Sequence, residues 1–225
     1  GHIAESAGVY DWMRDVCYRD PESWGNGYWK QKYTTDGYTV WSSPQIDETA
    51  VFPWGLYYHY QITGDTTFAS GHYATMKEAA TTIHSDPGNP SLLPLLNYNP
   101  VRRLMWSNNV WEDQYNFFAY SNANVVSGLY DAAALATALG FSSDASDFTF
   151  WGNTIKSGLD DWLNDNSEIT DISQLGIVYP FKVYSPTESR AVKYIDRMNG
   201  VQNDATGNSH PLVNFTNTYG WLDLI

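Results

Sequence analysis

The chain has 225 residues, 43% of them hydrophobic and 16% aromatic, which is the composition of a globular domain and excludes a disordered one. Twelve basic against twenty-five acidic residues leave a formal charge of −13, a field that repels nucleic acid and anionic membrane. Cys17 stands alone, so no internal disulfide can form, and no apolar run reaches membrane-spanning length.

The acidity is spread along the chain as a solvated surface would be. It fits secretion or a salty environment, with a slight lean to secretion. The first residues lack a signal-peptide pattern, so a secreted form would already have lost its signal. Asn214-Phe215-Thr216 is a formal glycosylation sequon, too common to place the protein. Ten Trp and seventeen Tyr exceed normal usage. Such rings serve core packing first, and they also suit a surface that stacks on flat apolar faces, sugars included.

In chain order, Asp47–Gln61 is helix-compatible, with Pro53 expected in its first turn. A second helix is expected from Thr66 to His84, stopping at Asp86-Pro87-Gly88. Asn122–Leu139 is the clearest helix, rich in Ala and followed by Gly140 as a C-terminal cap. Ser146–Leu163 carries Phe148, Trp151, Ile155, Leu159 and Trp162 at intervals of three to four, and Ser189–Met198 is a shorter candidate. No strand alternation interrupts them. The expected fold class is all-α, a toroid or bundle with active residues in the loops.

Three acidic clusters sit beside aromatics: Asp11-Trp12-Met13-Arg14-Asp15, Trp41 to Glu48, and Trp111-Glu112-Asp113. A ring can stack on a pyranose face while carboxylates and amides bind its hydroxyls. An apolar wall can also raise a carboxyl pKa enough to keep it a general acid. Each cluster has a plainer reading too. Arg14 and Asp15 could form a structural ion pair, Asp47 and Glu48 could favour a helix N-terminus, and Glu112 could be a surface acid beside a core ring.

Their order resembles glycoside hydrolase family 15, the glucoamylases. Tyr10-Asp11-Trp12-Met13-Arg14-Asp15 is similar to the family's Tyr-x-Trp-x-Arg-Asp segment, and Trp41-Ser42-Ser43-Pro44-Gln45-Ile46-Asp47 to its Trp-Gly-x-Pro-Gln-x-Asp segment. Val110-Trp111-Glu112-Asp113 resembles Leu-Trp-Glu-Glu. The helix ending Ala136–Gly140, and Asp171–Ser173 with Tyr179-Pro180-Phe181 and Ser185-Pro186, resemble later segments. The match runs from about Tyr10 to Met198.

The resemblance implies an (α/α)6 barrel and one catalytic domain over residues 1–225, acting as an inverting exo-hydrolase that releases glucose from non-reducing ends of α-glucans or α-gluco-oligosaccharides. Glu112 would be the general acid, Arg14 and Asp15 would hold the terminal glucose, and Trp41 would stack over the site. Asp113 would bind sugar hydroxyls from a side chain one methylene shorter than the family's Glu. Gln45, Asp47 and Trp111 would contact substrate or support the site's shape.

Inversion needs a second carboxylate roughly 6.5–9.5 Å from the first. No segment resembles the one that carries this base in the family, and Glu168 and Glu188 stand in segments whose counterparts are not catalytic. The Arg14–Trp41 interval is short, and the family's Arg-Tyr segment is not recognisable in Val201–Ile225. An incomplete chain, lacking internal and C-terminal stretches, accounts for this; a non-catalytic carbohydrate-binding relative is the alternative. No metal or organic cofactor is expected. The five His show no ligand spacing, and there is neither a Gly-rich phosphate loop nor a Gly-x-Ser-x-Gly elbow. The linkage, α-1,4, α-1,6 or another, is left open by the family.

Overall fold

A computed structural model describes residues 2–17, 19, 27–43, 45–110, 114–164, 172–198, 202–203 and 209–210. The described part is mostly helical: α1 (Ile3–Asp15), α2 (Asp47–Thr63), α3 (Thr66–Thr82), α4 (Ala119–Ala138), α5 (Ser142–Asn164) and α6 (Ser189–Met198). Three small antiparallel sheets join them. They pair β1 (Lys32–Tyr33) with β2 (Thr39–Trp41), set β4 (Leu104–Asn108) between β3 (Asn97–Asn99) and β5 (Tyr115–Asn116), and pair β6 (Gln202–Asn203) with β7 (Ser209–His210). Among the described residues, no helix is long and apolar enough to cross a membrane.

Helices α2 to α6 lie where periodicity put them, within a few residues at their starts. Pro53 differs: α2 begins at Asp47, so the proline sits in the helix interior rather than its first turn. There it removes the hydrogen bond that would have closed on Thr49. Helix α1 was not legible from periodicity. It buries no residue fully and leaves Ile3 and Val9 about half exposed, so it carries no apolar stripe. The strands have two to five residues, too few to show alternation.

The helices are arranged as pairs. A short turn joins α2 to α3, whose first turn is capped by Asp65, its carboxylate accepting from Phe68 N–H at 2.9 Å. Helix α4 turns into α5 at Gly140, which takes the left-handed φ of +86°. The Gly140 N–H then reaches Thr137 C=O at 3.2 Å and the Phe141 N–H reaches Ala136 C=O at 2.8 Å, closing the end of α4. The first members of the two pairs, α2 and α4, lie side by side and parallel. Asn124 Nδ2 donates to Asp47 C=O at 2.9 Å, and one turn further on Gly128 faces Ala50. A Cβ at Gly128 would stand 2.8 Å from the Ala50 carbonyl oxygen, so glycine is what permits this approach. Helices α3 and α5 flank in the same sense: Tyr73 O–H donates to Asp144 at 2.7 Å, and His84 stacks on Trp151 at 4.4 Å.

Helix α4 is the centre of the core. Ala119 and every residue from Ser121 to Leu129 are buried, as befits a helix covered nearly all round. Phe52 and Leu56 of α2, Met76 of α3 and Phe148 of α5 complete the packing. Asp131 is the one charged residue of α4. Burial pushes its carboxyl up to about 7, against the opposing pull of a Ser127 hydrogen bond and the Lys182 charge. The unfolded carboxyl titrates near ~3.9, so between that value and about 7 the folded state holds a proton the unfolded state has lost. Stability from this group is therefore full at low pH and declines as pH rises through that window. Asp131→Asn should raise the melting temperature at pH 8 and leave it nearly unchanged at pH 4; equal shifts at both would contradict the burial account.

Candidate functional site

The N-terminal ends of α2 and α4 open at one place, and strand β4 is tied to both. Ser107 Oγ accepts from Ile46 N–H at 2.9 Å, just before α2. Asn122, in the first turns of α4, accepts from Met105 N–H at 2.8 Å and donates to Met105 C=O at 3.0 Å. Asn122 is wholly buried, so both its amide groups are committed to holding β4 against α4. The loop from β4 to β5 is closed at its base by Asn109 N–H donating to Gln114 C=O at 2.9 Å. Trp111, Glu112 and Asp113 belong to this loop in sequence and lie outside the described residues.

The Trp41–Asp47 segment runs past the same sheet into α2. Trp41 ends β2 and is 45% exposed as a residue; its indole N–H donates to Ser43 Oγ at 3.1 Å and the Lys32 ammonium lies 4.6 Å from the ring centre. Ser43 also hydrogen-bonds the Tyr115 phenol of β5, whose pKa burial pushes up. Gln45 and Asp47 are buried. Gln31 Nε2 donates to Gln45 Oε1 at 2.5 Å, and Gln45 Nε2 donates to Asp47 Oδ2 at 2.9 Å. Asp47 is the first residue of α2, where the helix dipole favours a carboxylate. Gln45 thus spends both ends of its amide on its own protein and acts here as a brace.

Arg14 and Asp15 occupy the last turn of α1, on the wall of a cleft of about 450 Å3 that also includes Arg19, Asp36 and Tyr38. The guanidinium grips Asp15 through Nε at 2.6 Å and Nη2 at 2.5 Å, and reaches Asp11 at 3.1 Å. That grip holds the Asp15 carboxyl below the usual range. Arg14 Nη1 lies 3.0 Å from His72 Nε2 on α3. The partners of Arg14 are therefore on α1 and α3, whereas the backbones of Ile46 and Asp47 are tied to β4 and α4. Trp29 links the two regions: its indole N–H donates to Met13 C=O at 2.9 Å, its backbone N–H donates to Thr49 Oγ1 at 3.0 Å, and its ring stacks on Phe52 at 4.6 Å.

The structure thus gathers Trp41, Gln45 and Asp47 around the sheet whose loop carries Glu112, and sets Arg14 and Asp15 in a neighbouring cleft. Gln31, Ser107, Tyr115, Asn122 and Trp29 support this end of the molecule without having been singled out in the sequence. In the sequence Asn122 is only the first residue of an expected helix, and its context does not mark it off from Ser121, Asn124 and Ser127 of the same helix.

No family model matches the chain. A protein of Methanocaldococcus jannaschii named as an uncharacterized glycosyl hydrolase is 26% identical over 183 residues. The aligned part covers 75% of this chain and 27% of that protein, so the chain spans about a quarter of the relative's length.

Removing the Asn122 amide strands a buried backbone donor and acceptor of Met105, at about 1–3 kcal/mol each. Asn122→Ala should lower the unfolding free energy by at least about 2 kcal/mol in denaturant melts, and a loss below about 0.5 kcal/mol would show that β4 is held by other means.

Proposed function

We propose that the chain is part of a glycoside hydrolase acting on α-glucosidic bonds, as an inverting exo-glucosidase built on an (α/α)6 barrel. The observation that carries this reading is the convergence of the Trp41–Asp47 segment and of strands β4 and β5, between which Glu112 lies in sequence, at the N-terminal ends of the parallel helices α2 and α4. The likeness to the archaeal glycosyl hydrolase supports the broader class. Two helix pairs repeated side by side are also what a sector of an α/α toroid contains.

In this reading Glu112 donates its proton to the glycosidic oxygen as the bond to the anomeric carbon breaks. Water, deprotonated by a second carboxylate, adds to the opposite face, so the released sugar is the inverted β-anomer. Trp41, exposed at the end of β2, offers its face to a pyranose. Trp111 and Asp113 flank the acid in sequence and would contact sugar near the cleavage point. Arg14 and Asp15 would hold the terminal glucose from their own cleft, which requires Arg14 to share the hydrogen bonds it now gives to Asp11 and Asp15. Gln45 and Asp47 brace the loop. The base has no assigned residue, and that favours one other reading, a carbohydrate-binding relative without catalysis.

Glu112→Gln separates the two. The enzyme reading predicts a fall in turnover of about 10^2–10^4-fold, with maltotriose affinity by calorimetry within about threefold of wild type. Turnover within tenfold of wild type would remove Glu112 as the acid.

A further inference from the structure

A second cleft lies further along α2 and α4, closed on its third side by the segment 179–183, with a volume of about 440 Å3. It begins about 10 Å down α2 from Asp47, at Trp54, and extends to Gln61, about 21 Å down. It is therefore separate from the loops at the helix N-termini. We propose that this cleft is a second ligand site, one that takes a neutral sugar ring on the aromatic wall formed by Trp54 and Tyr58.

The wall has the shape for this. The Trp54 and Tyr58 rings are nearly parallel, with 5° between their planes and centroids 6.3 Å apart, and both line the cleft. Tyr130 stands opposite, its hydroxyl donating to Asn153 at 2.9 Å. Polar groups converge on the same space from Gln61, Ser127 and Asp131. A cleft of a few hundred Å3 that combines aromatic rings with polar groups suits a ligand that has both an apolar face and hydroxyls.

Asp131 is what needs explaining. It is the one charged residue of α4, and its hydrogen bond from Ser127 Oγ is long at 3.4 Å. Burial keeps its carboxyl protonated up to about pH 7, which leaves both a donor and an acceptor for sugar hydroxyls. Across the cleft, Lys182 takes a left-handed φ of +54°, a conformation unfavourable for a residue with a side chain and one that collects at binding sites. The Lys182 charge also disfavours a cationic guest, which an aromatic cage beside an acid would otherwise admit. A neutral polyol with an apolar face matches both the rings and the hydrogen-bonding groups that line the cleft.

The test uses the 225-residue chain carrying Glu112→Gln, titrated with maltotriose, cellotriose and tetramethylammonium by equilibrium dialysis and Trp fluorescence. At least one sugar should bind with a component that Trp54→Leu weakens tenfold or more and that the exposed Gln61→Ala weakens about threefold, both variants melting near the parent. With Glu112 intact, hydrolysis of a short aryl glucoside should be unchanged by Gln61→Ala. Sugar binding unaffected by both substitutions, or tetramethylammonium binding more tightly than either sugar, would overturn the proposal. A Trp54-dependent sugar component in a protein that hydrolyses nothing would sustain it while sinking the enzymatic reading.

Discussion

Helices α2 and α4 meet where Gly128 has no side chain, and the placement of the rest follows from that contact. With Gly128 against the Ala50 carbonyl and Asn124 bonded to the Asp47 carbonyl, the two helices are locked parallel and in register at their N-terminal ends. A side chain at Gly128 would wedge them apart against a close-packed core, where overpacking costs about 1–3 kcal/mol. Asp47, which opens α2, lies beside Asn124, about a turn and a half into α4, so the segments that enter the two helices arrive at the same end of the pair. One is the Trp41–Asp47 run, and the other is strand β5 leading from the loop that carries Glu112.

Polar ties then convert this parallel pair into a platform. Asn122 and Ser107 fix β4 to α4 and to the start of α2, and the half-buried Gln31 links to the buried Gln45 and Asp47 in a hydrogen-bonded chain. Each bond contributes modestly when made and would cost more if left unmade in the interior. The positions of the loops are accordingly fixed by satisfaction of buried amides more than by apolar contact. Trp29 plays the corresponding part for α1, bonding Met13 on one side and Thr49 on the other.

Much of the helical frame was legible because it follows from periodicity. Helix α6 occupies the range its apolar spacing suggests, and Gly140 ends α4 with the bonds a left-handed cap makes. Helix α1 escaped because its contacts are scattered, with Tyr10, Trp12 and Met13 only partly covered. Pro53 was misplaced because an interior proline is disfavoured locally, and only the packing of α2 on three neighbours makes it acceptable here. The site was legible as residue types beside one another and not as geometry. Sequence could not tell that Gln45 is consumed by its neighbours, or that Arg14 turns towards α3. Asp131 was not singled out in the sequence, because its place depends on a cleft that only the packed helices create.

The central claim is that this end of the molecule cleaves α-glucosidic bonds with inversion. Proton NMR of the protein incubated with maltotriose and with isomaltotriose reads anomer, linkage and activity together. The account predicts that β-glucose accumulates first from one of these substrates, before mutarotation equalises the anomers. First appearance of α-glucose would contradict inversion, and absence of glucose from both, with the protein folded, would contradict the enzyme.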